Sequence, residues 1–327
     1  TFATDSLRGI FIFLLFLVIT GFSFLLFIIK VPDENKKLNL LFINKTSALL
    51  INNIIMLIAC FTVLLGTLYP IIIEVLTNAR ISVGAPYYNS TVLPIILPGF
   101  LLMSIAPSLS WQNNKLSSAK YYVYIFICIS ILTTICVLVI NFNGWALIGI
   151  ITGLWIIFGS LFSLLKNFIK NSKNIFKFLL FNNAFIAHIG VGIMVLGITF
   201  SSIYKTEHQK VININEEILF GPYKLHFDSL KTIEKSNFKS LKGNFSLYKN
   251  NKFLSKITPE KRYYYVAKTI TTEAGIYHHL FQDFYLILNE QKNNGWSIKL
   301  YQNPLVSFIW FGALIMIFSG LLSLIKK

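Results

Sequence analysis

The chain has 327 residues, of which 55% are hydrophobic and only 13% are charged, and its mean hydropathy is +0.65. Soluble domains usually carry about a quarter charged residues, so this composition excludes an ordinary soluble enzyme and a disordered chain. The formal net charge of +16 does not indicate nucleic acid as a partner, because the basic residues flank apolar runs. Three cysteines lie inside such runs without a CxxC pair, which excludes a disulfide framework. The sequence predicts a polytopic membrane protein.

Seven apolar runs are long enough to cross a hydrocarbon core of about 30 Å as helices. They are 10–29, 48–69, 92–109, 122–140, 145–165, 178–203 and 305–325. The third run contains Pro94, Pro98 and Pro107. Proline removes a backbone donor and clashes with the preceding turn, so we expect this span to be kinked or broken.

Basic residues are distributed unevenly among the segments that join these runs. If all seven runs are spans, the connecting segments on one side, together with the chain end, carry twelve lysines. The short segments on the opposite side carry only Arg8 and Arg80. The excess of positive charge marks the cytoplasmic side of a membrane protein. We therefore expect Thr1, the segment 70–91 and the long segment 204–304 to face outward, and the tail after the last span to face inward.

The outward segment 204–304 differs in pattern from the rest of the chain. Most of the stretches 223–227, 243–247, 284–288 and 296–300 alternate apolar and polar residues with a period of two. This period is typical of a strand with one buried face. The sequence thus predicts a membrane domain over 1–203, an extracytoplasmic β-rich domain over 204–304, and a last span with a short tail over 305–327.

One histidine lies in an unusual place. His188 stands ten residues inside the run 178–203, which is about 15 Å deep at 1.5 Å per residue. Ionisable groups at that depth are costly and indicate function by default. Ala184 and Gly192 lie one turn away on either side, so little side-chain bulk surrounds the imidazole. This arrangement suits a haem-iron ligand, and from the residues alone it suits close helix packing with a histidine–backbone hydrogen bond better.

The remaining histidines, His208, His226, His278 and His279, all lie in the outward segment. Adjacent residues on a strand point to opposite faces, so His278 and His279 form a poor metal site. We expect them to be solvated loop residues. A second histidine ligand for a membrane haem would therefore have to come from outside this chain.

Two outward segments are candidate docking surfaces. The first is the turn-rich and aromatic stretch 81–89, whose candidate residues are Ser82, Gly84, Pro86 and Tyr87. Loops are where binding residues concentrate, although an interfacial turn anchored by tyrosines explains the same pattern. The second is the stretch 259–264, whose candidate residues are Glu260 and Arg262, and in which Arg262 could pair with a carboxylate such as a haem propionate. A salt-bridged, solvated turn is the alternative there.

Six strings occur in an order and spacing that resemble the C-terminal half of the cytochrome c haem lyase family, CcmF. They are TFATDSLRG at 1–9, VLLGTLYP at 63–70, ISVGAPYYN at 81–89, AHIGV at 187–191, PEKR at 259–262, and NPLV at 303–306 followed by IW at 309–310. The likeness runs from one end of the chain to the other.

The resemblance implies a role in cytochrome c maturation at a bacterial inner membrane, or at a mitochondrial one if the gene is organellar. Members of the family join haem to the CxxCH thiols of apocytochrome c, with a haem chaperone and thiol-handling subunits as partners. They also carry an intramembrane haem b, and His188 matches one of its axial ligands. Quinol is a candidate electron donor.

The resemblance further implies that the other axial ligand and the tryptophan-rich WWD segment lie before Thr1. We therefore expect an N-terminal portion, either as a separate chain or as sequence not included here, without which the haem-attachment site is incomplete. Two other classes stay open from the residues alone. One is a secondary transporter with the proline-broken run lining its path. The other is a membrane scaffold whose β-domain binds a partner while His188 only packs.

Overall fold

The computed structural model describes residues 6–30, 44–77, 79, 81–111, 119–140, 143–171, 175–292 and 295–325. Arg80, Thr1 and the tail 326–327, all used in the orientation argument, lie outside the described residues. The chain divides into two compact units, Thr1–Ser117 and Ser118–Lys327.

The first unit consists of three long helices, α1 (Ser6–Lys30), α2 (Lys45–Thr77) and α3 (Ala85–Met103), and a 3-10 turn at Ala106–Ser108. Helix α2 continues eight residues beyond the apolar run that predicted it, straight through Pro70. A proline inside a membrane helix is tolerated because neighbouring groups can replace the lost hydrogen bond. The outward segment expected at 70–91 is therefore largely helical.

Helix α3 also begins earlier than the apolar run 92–109. Pro86 lies in its first turn, where a missing backbone donor costs nothing, and Pro94 and Pro98 lie inside it. The helix ends at Met103, before Pro107, which belongs to the 3-10 turn. The expected break in this span is thus found at its end, and the two internal prolines are accommodated within the helix.

The second unit contains the helices α4 (Ala119–Ile140), α5 (Gly144–Asn171), α6 (Ile175–Phe181), α7 (Asn183–Ile203) and α8 (Val306–Ile325). The expected single span over 178–203 is therefore two helices. They are separated at Asn182, a buried residue whose Nδ2 donates to the Phe178 carbonyl at 2.9 Å. Its Oδ1 accepts from Nδ2 of Asn167 on α5 at 2.7 Å. The two asparagine side chains thus provide hydrogen bonds for the Phe178 carbonyl and for each other at the helix break, which an apolar side chain could not do.

Helices α7 and α8 pack together through glycines. A Cβ placed on Gly190 would lie 2.7 Å from the Gly312 carbonyl oxygen, and one on Gly197 would lie 2.8 Å from the Ile309 nitrogen. The two backbones are therefore in direct contact, as is typical of small-residue interfaces between membrane helices. At the other end of α8, Ser319 Oγ donates to the Asn183 carbonyl at 2.6 Å.

Ten strands lie between α7 and α8. They are β1 (Thr206–Ile212), β2 (Glu217–Phe220), β3 (Tyr223–Glu234), β4 (Phe238–Lys249), β5 (Lys252–Ile257), β6 (Glu260–Tyr264), β7 (Thr269–Glu273), β8 (Gly275–Tyr277), β9 (Gln282–Lys292) and β10 (Gly295–Pro304). They form a sheet in the order β1-β10-β9-β8 and a second sheet in the order β2-β3-β4-β6-β7, with β5 paired to β4. All four stretches predicted as strands lie inside β3, β4, β9 and β10.

The core of this β-sandwich comes from the apolar positions that alternate along those strands. Phe227 and Phe245, both fully buried, stack with ring centroids 4.3 Å apart across the β3–β4 pair. Leu247, Leu286 and Leu288 are also fully buried around them. Burial on one face only is what the period-two pattern predicted.

The sandwich is joined to the helices at two adjacent points. Helix α7 leads into β1, β10 leads into α8, and β1 pairs with β10 from Thr206↔Gln302 onward. At the second connection Leu305 has a φ of 56° and donates its N–H to the Phe281 carbonyl at 2.9 Å. The Phe281 ring lies 6.3 Å from that of Phe308 in α8.

Seven of the described helices, α1 to α5 with α7 and α8, are long and apolar enough to cross a membrane. A β-sandwich precedes the last of them. The predicted fold class, a polytopic helical membrane protein with a β-rich domain inserted before its last span, is confirmed.

Candidate functional site

His188 is the sixth residue of α7, so it lies about 7.5 Å along the helix from its first residue and about 22 Å from its last. The estimate of 15 Å from the sequence is too large, because it counted residues of α6 as part of the same helix. The imidazole therefore stands near the end of α7 that is remote from the β-sandwich.

The side of His188 that holds Gly192 is closed by helix α5. A Cβ on Gly192 would lie 2.6 Å from Ile157 Cγ1 and 2.8 Å from the Gly153 carbonyl oxygen. From the sequence, Gly192 was expected to leave free space beside the imidazole for a haem, but on this side of His188 the space is filled by α5. Here the missing side chain lets two helix backbones approach each other.

Helix α7 has three sides that are covered to different extents. Helix α5 covers one side of α7 at Gly192, and α8 covers another at Gly190. A third side carries the exposed residues Ala184 and Ile198, the latter with 47% of its surface accessible. His188 is half-buried between this side and the α5 contact, and its Nδ1 atom is buried.

This geometry fits a haem ligand better than a site for a bare metal ion. Among the described residues, no group of three or more His, Cys, Asp or Glu side chains could hold an ion. A porphyrin brings four nitrogen ligands of its own, so the protein needs to supply only axial ones, and imidazole is a common choice. Ala184, one turn from His188, adds little side-chain bulk beside the imidazole.

Tyr87 holds two helices of the first unit together. Although it was expected in a loop, it lies in the first turn of α3, and its hydroxyl donates to the Thr62 carbonyl of α2 at 3.0 Å. Its ring lies over Gly66, where any side chain would collide with it. Tyr87 is thus engaged in packing.

The neighbouring candidates of the same stretch are differently placed. Ser82, Gly84 and Pro86 are exposed, and Gly84 is the N-cap of α3. Together with Ile81, Ala85 and Asn89 they form the accessible part of the stretch 81–89.

Glu260 and Arg262 form a half-buried ion-pair cluster on strand β6. Arg262 Nε donates to Glu260 Oε2 at 3.0 Å, Lys242 Nζ lies 3.4 Å from Glu260 Oε1, and the guanidinium lies 4.8 Å from the centroid of the Phe238 ring. Burial alone would raise the pKa of Glu260, but hydrogen bonds from Arg262 and Lys242 outweigh it and the pKa lies below its usual value. The pKa of Arg262 is raised mainly by its hydrogen bond with Tyr264 and secondly by its hydrogen bond with Glu260.

The sandwich contains a second polar cluster, which the sequence did not predict. Asp228 lies at a bulge of β3, where its Oδ1 is 2.7 Å from His226 Nδ1 and its Oδ2 accepts from Ser246 Oγ at 2.6 Å. Because the carboxylate stands between the hydroxyl and the imidazole, the serine is not activated as a nucleophile. His226 and Asp228 are two residues apart on β3, but only the strand register brings Ser246 to them, so no local signal could have revealed the whole cluster.

His278 and His279 lie in the loop between β8 and β9, as expected. His278 Nδ1 is 2.8 Å from Oδ2 of the buried Asp283, and Oδ1 of the same carboxylate accepts from the His279 backbone at 3.2 Å. The two histidines therefore fix the loop beside α8.

Helices suited to crossing a membrane and a β-sandwich inserted before the last of them define a class of multi-span membrane protein with an extramembrane sandwich domain. The family model described as CcmF C-terminal beta-sandwich matches residues 203–304. A solved structure titled "Cytochrome c Heme Lyase CcmF" superposes with a TM-score of 0.71 at 17% identity, over 86% of this chain and 46% of that one.

Relatives extend the match to the whole chain. CycK of Rhizobium meliloti is 31% identical over 99% of this chain and 49% of its own length. CcmF of Escherichia coli K12 is 28% identical over 99% and 50%, and CcmF of Pseudomonas aeruginosa is 27% identical over 100% and 50%. The chain thus spans about half the length of these relatives. The predicted resemblance to the C-terminal half of the CcmF family is therefore confirmed over the whole chain.

Proposed function

We propose that the chain is the C-terminal part of a cytochrome c haem lyase and that His188 supplies one axial ligand of an intramembrane haem b. The observation that carries this proposal is the position of His188. It is a half-buried imidazole on α7, one turn from the exposed Ala184 and one turn from the α5 contact at Gly192. The names of the relatives, all cytochrome c-type biogenesis proteins, support the same role.

When bound, the haem would supply one-electron redox chemistry. The chain's residues hold and orient it. Nδ1 of His188 is buried, which leaves Nε2 as the nitrogen for iron. Glycine contacts with α5 and α8 fix α7 on two sides, so the imidazole is presented by a rigid helix in one direction.

The haem lyase reaction itself would belong to the assembly with an N-terminal portion. That portion would supply the other axial ligand and the WWD segment for haem attachment. Apocytochrome c with its CxxCH thiols would be the protein substrate, a haem chaperone and thiol-handling subunits would be partners, and quinol would be the electron donor. The sandwich segment 203–304 contains no cysteine, which suits a domain that handles haem and leaves thiol chemistry to others.

A haem assay tests the ligand. The chain is expressed together with the other half of a full-length relative, purified, and examined as a pyridine haemochrome. We expect His188→Ala to lose b-type haem, whereas His208→Ala, a change on the exposed strand β1, should keep it. Retention of b-type haem with an unchanged spectrum in His188→Ala would refute the proposal.

The proposal includes an orientation, with the β-sandwich on the periplasmic side of a bacterial inner membrane. The distribution of basic residues supports it. Protease added to the outside of spheroplasts should cut within 204–304, and protease added to inverted vesicles should not. Cleavage of the sandwich only in inverted vesicles would reverse the orientation.

A further inference from the structure

Ser160 of α5 is a fully buried polar residue. It is 0% exposed, and its Oγ has no hydrogen-bond partner among the residues that the structure describes. Several hydroxyls in these helices bond to the carbonyl four residues earlier, as Ser163 does with Gly159, whereas Thr133 of α4 shares the condition of Ser160. A buried hydroxyl without a partner is destabilising, so its presence calls for a reason.

The register between α5 and α7 places Ser160 beside His188. Four contacts fix this antiparallel register, because their residue numbers increase along α5 while those of their partners decrease along α7. They are Gly149 with Thr199, Gly153 with Leu196, Ile157 with Gly192, and Asn167 with Asn182. The last two contacts bracket Ser160, and interpolation between them sets it level with residue 189, the neighbour of His188 in the chain.

Ser160 also lies on the correct face of α5. It is three residues after Ile157 and seven after Gly153, so it continues the stripe that contacts α7. His188 lies four residues before Gly192, which is the partner of that stripe on α7. The two side chains therefore extend from facing stripes at nearly the same level.

We propose that Ser160 is a positioning residue for the haem ligand, with its Oγ accepting a hydrogen bond from Nδ1–H of His188 when Nε2 binds iron. The inference rests on the proposed function of His188. A neutral imidazole that coordinates through Nε2 carries its proton on Nδ1, and that proton needs an acceptor. The Nδ1 atom of His188 is buried, and helix α5 packs against α7 one turn away, at Gly192.

Such a bond would have two consequences. It would fix the rotation of the imidazole about its Cβ–Cγ bond, and it would increase the electron donation of the ring to iron. Stronger donation stabilises the ferric form and lowers the reduction potential of the haem. The Ser160 hydroxyl proton stays available for a carbonyl of α5, so no charge is created in the membrane.

The test compares variants of the assembly that binds haem. We expect Ser160→Ala to raise the midpoint potential of the haem b and Ser160→Thr, which keeps the hydroxyl, to restore it toward the wild-type value. Ser163→Ala is the matched control, because Ser163 is an equally buried serine of α5 whose hydroxyl instead pairs with Tyr122 of α4. Its potential should equal that of the wild type.

The outcomes separate this inference from the function on which it rests. Haem b present in Ser160→Ala with an unchanged potential would overturn the role of Ser160 and leave His188 as ligand. Loss of haem in both Ser160 variants would also overturn it, because packing would then explain the effect. Haem b retained with an unchanged potential in His188→Ala would instead overturn the proposed function.

Discussion

The contact between α7 and α8 allows a quantitative prediction. A Cβ on Gly312 would lie 2.8 Å from the Met194 backbone nitrogen and still closer to the Gly190 carbonyl oxygen. Non-bonded atoms pack at about 3.5–4.0 Å, so Gly312→Ala would force the two helices apart by about 1 Å. Backbone atoms cannot rotate away as a side chain could. Overpacking of this kind costs about 1–3 kcal/mol.

The assay is thermal stability in detergent, read as the fraction of protein that remains monodisperse after heating. For a unit of about 200 residues, this cost lowers the midpoint by about 2 °C to about 12 °C. Gly320→Ala, in the same helix with nothing within 4 Å of its Cβ, is the matched control. Its midpoint should stay the same or rise slightly, because alanine favours a helix over glycine by about 0.5–1 kcal/mol. Equal midpoints for the two variants would refute the backbone contact.

Three further predictions concern other parts of the chain. Tyr87→Phe removes the hydroxyl that donates to the Thr62 carbonyl, and we expect a loss of about 0.5–1.5 kcal/mol, measured as faster hydrogen exchange in α3; unchanged exchange would contradict it. Phe245→Ala removes a fully buried ring and should cost about 3–5 kcal/mol, seen as protease sensitivity of the sandwich; a resistant sandwich would argue against this core. Burial alone would raise the pKa of Glu260, but pairing with Arg262 keeps it below its usual value of 4.5. The ion pair therefore stabilises the folded sandwich fully above pH 4.5, and this stabilisation is lost as the pH falls through the lower pKa of the folded state. The stability of Glu260→Gln, followed by hydrogen exchange, should therefore fall less in acid than that of the wild type, and parallel curves would refute the ion pair.

The β-sandwich could be predicted because its signal is local. Phe245 and Leu247, two residues apart on β4, are both buried, and the same alternation recurs in the strands paired with it. The pairing order could not be predicted, since β5 and β6 both pair with β4 through contacts that no short stretch encodes. The cluster of His226, Asp228 and Ser246 is a product of that order.

In the membrane helices, the sequence revealed where polar residues stand but not what they contact. His188 was identifiable because an ionisable residue in an apolar run is rare. The helix break at Asn182 depends on Asn167, fifteen residues earlier on a different helix. Gly192 was interpreted as open space because glycine has no side chain, and only the tertiary packing reveals that the backbone of α5 fills that space.

The double connection between the sandwich and the helices has a mechanical consequence. Strands β1 and β10 are hydrogen-bonded to each other, and the helices that continue them, α7 and α8, touch backbone to backbone. The sandwich cannot rotate about a single chain segment, because bending or twisting it would deform both of its adjacent connections to the helices. A force applied to the sandwich is therefore transmitted along α7 and α8 toward His188, which lies near the end of α7 that is remote from the sandwich.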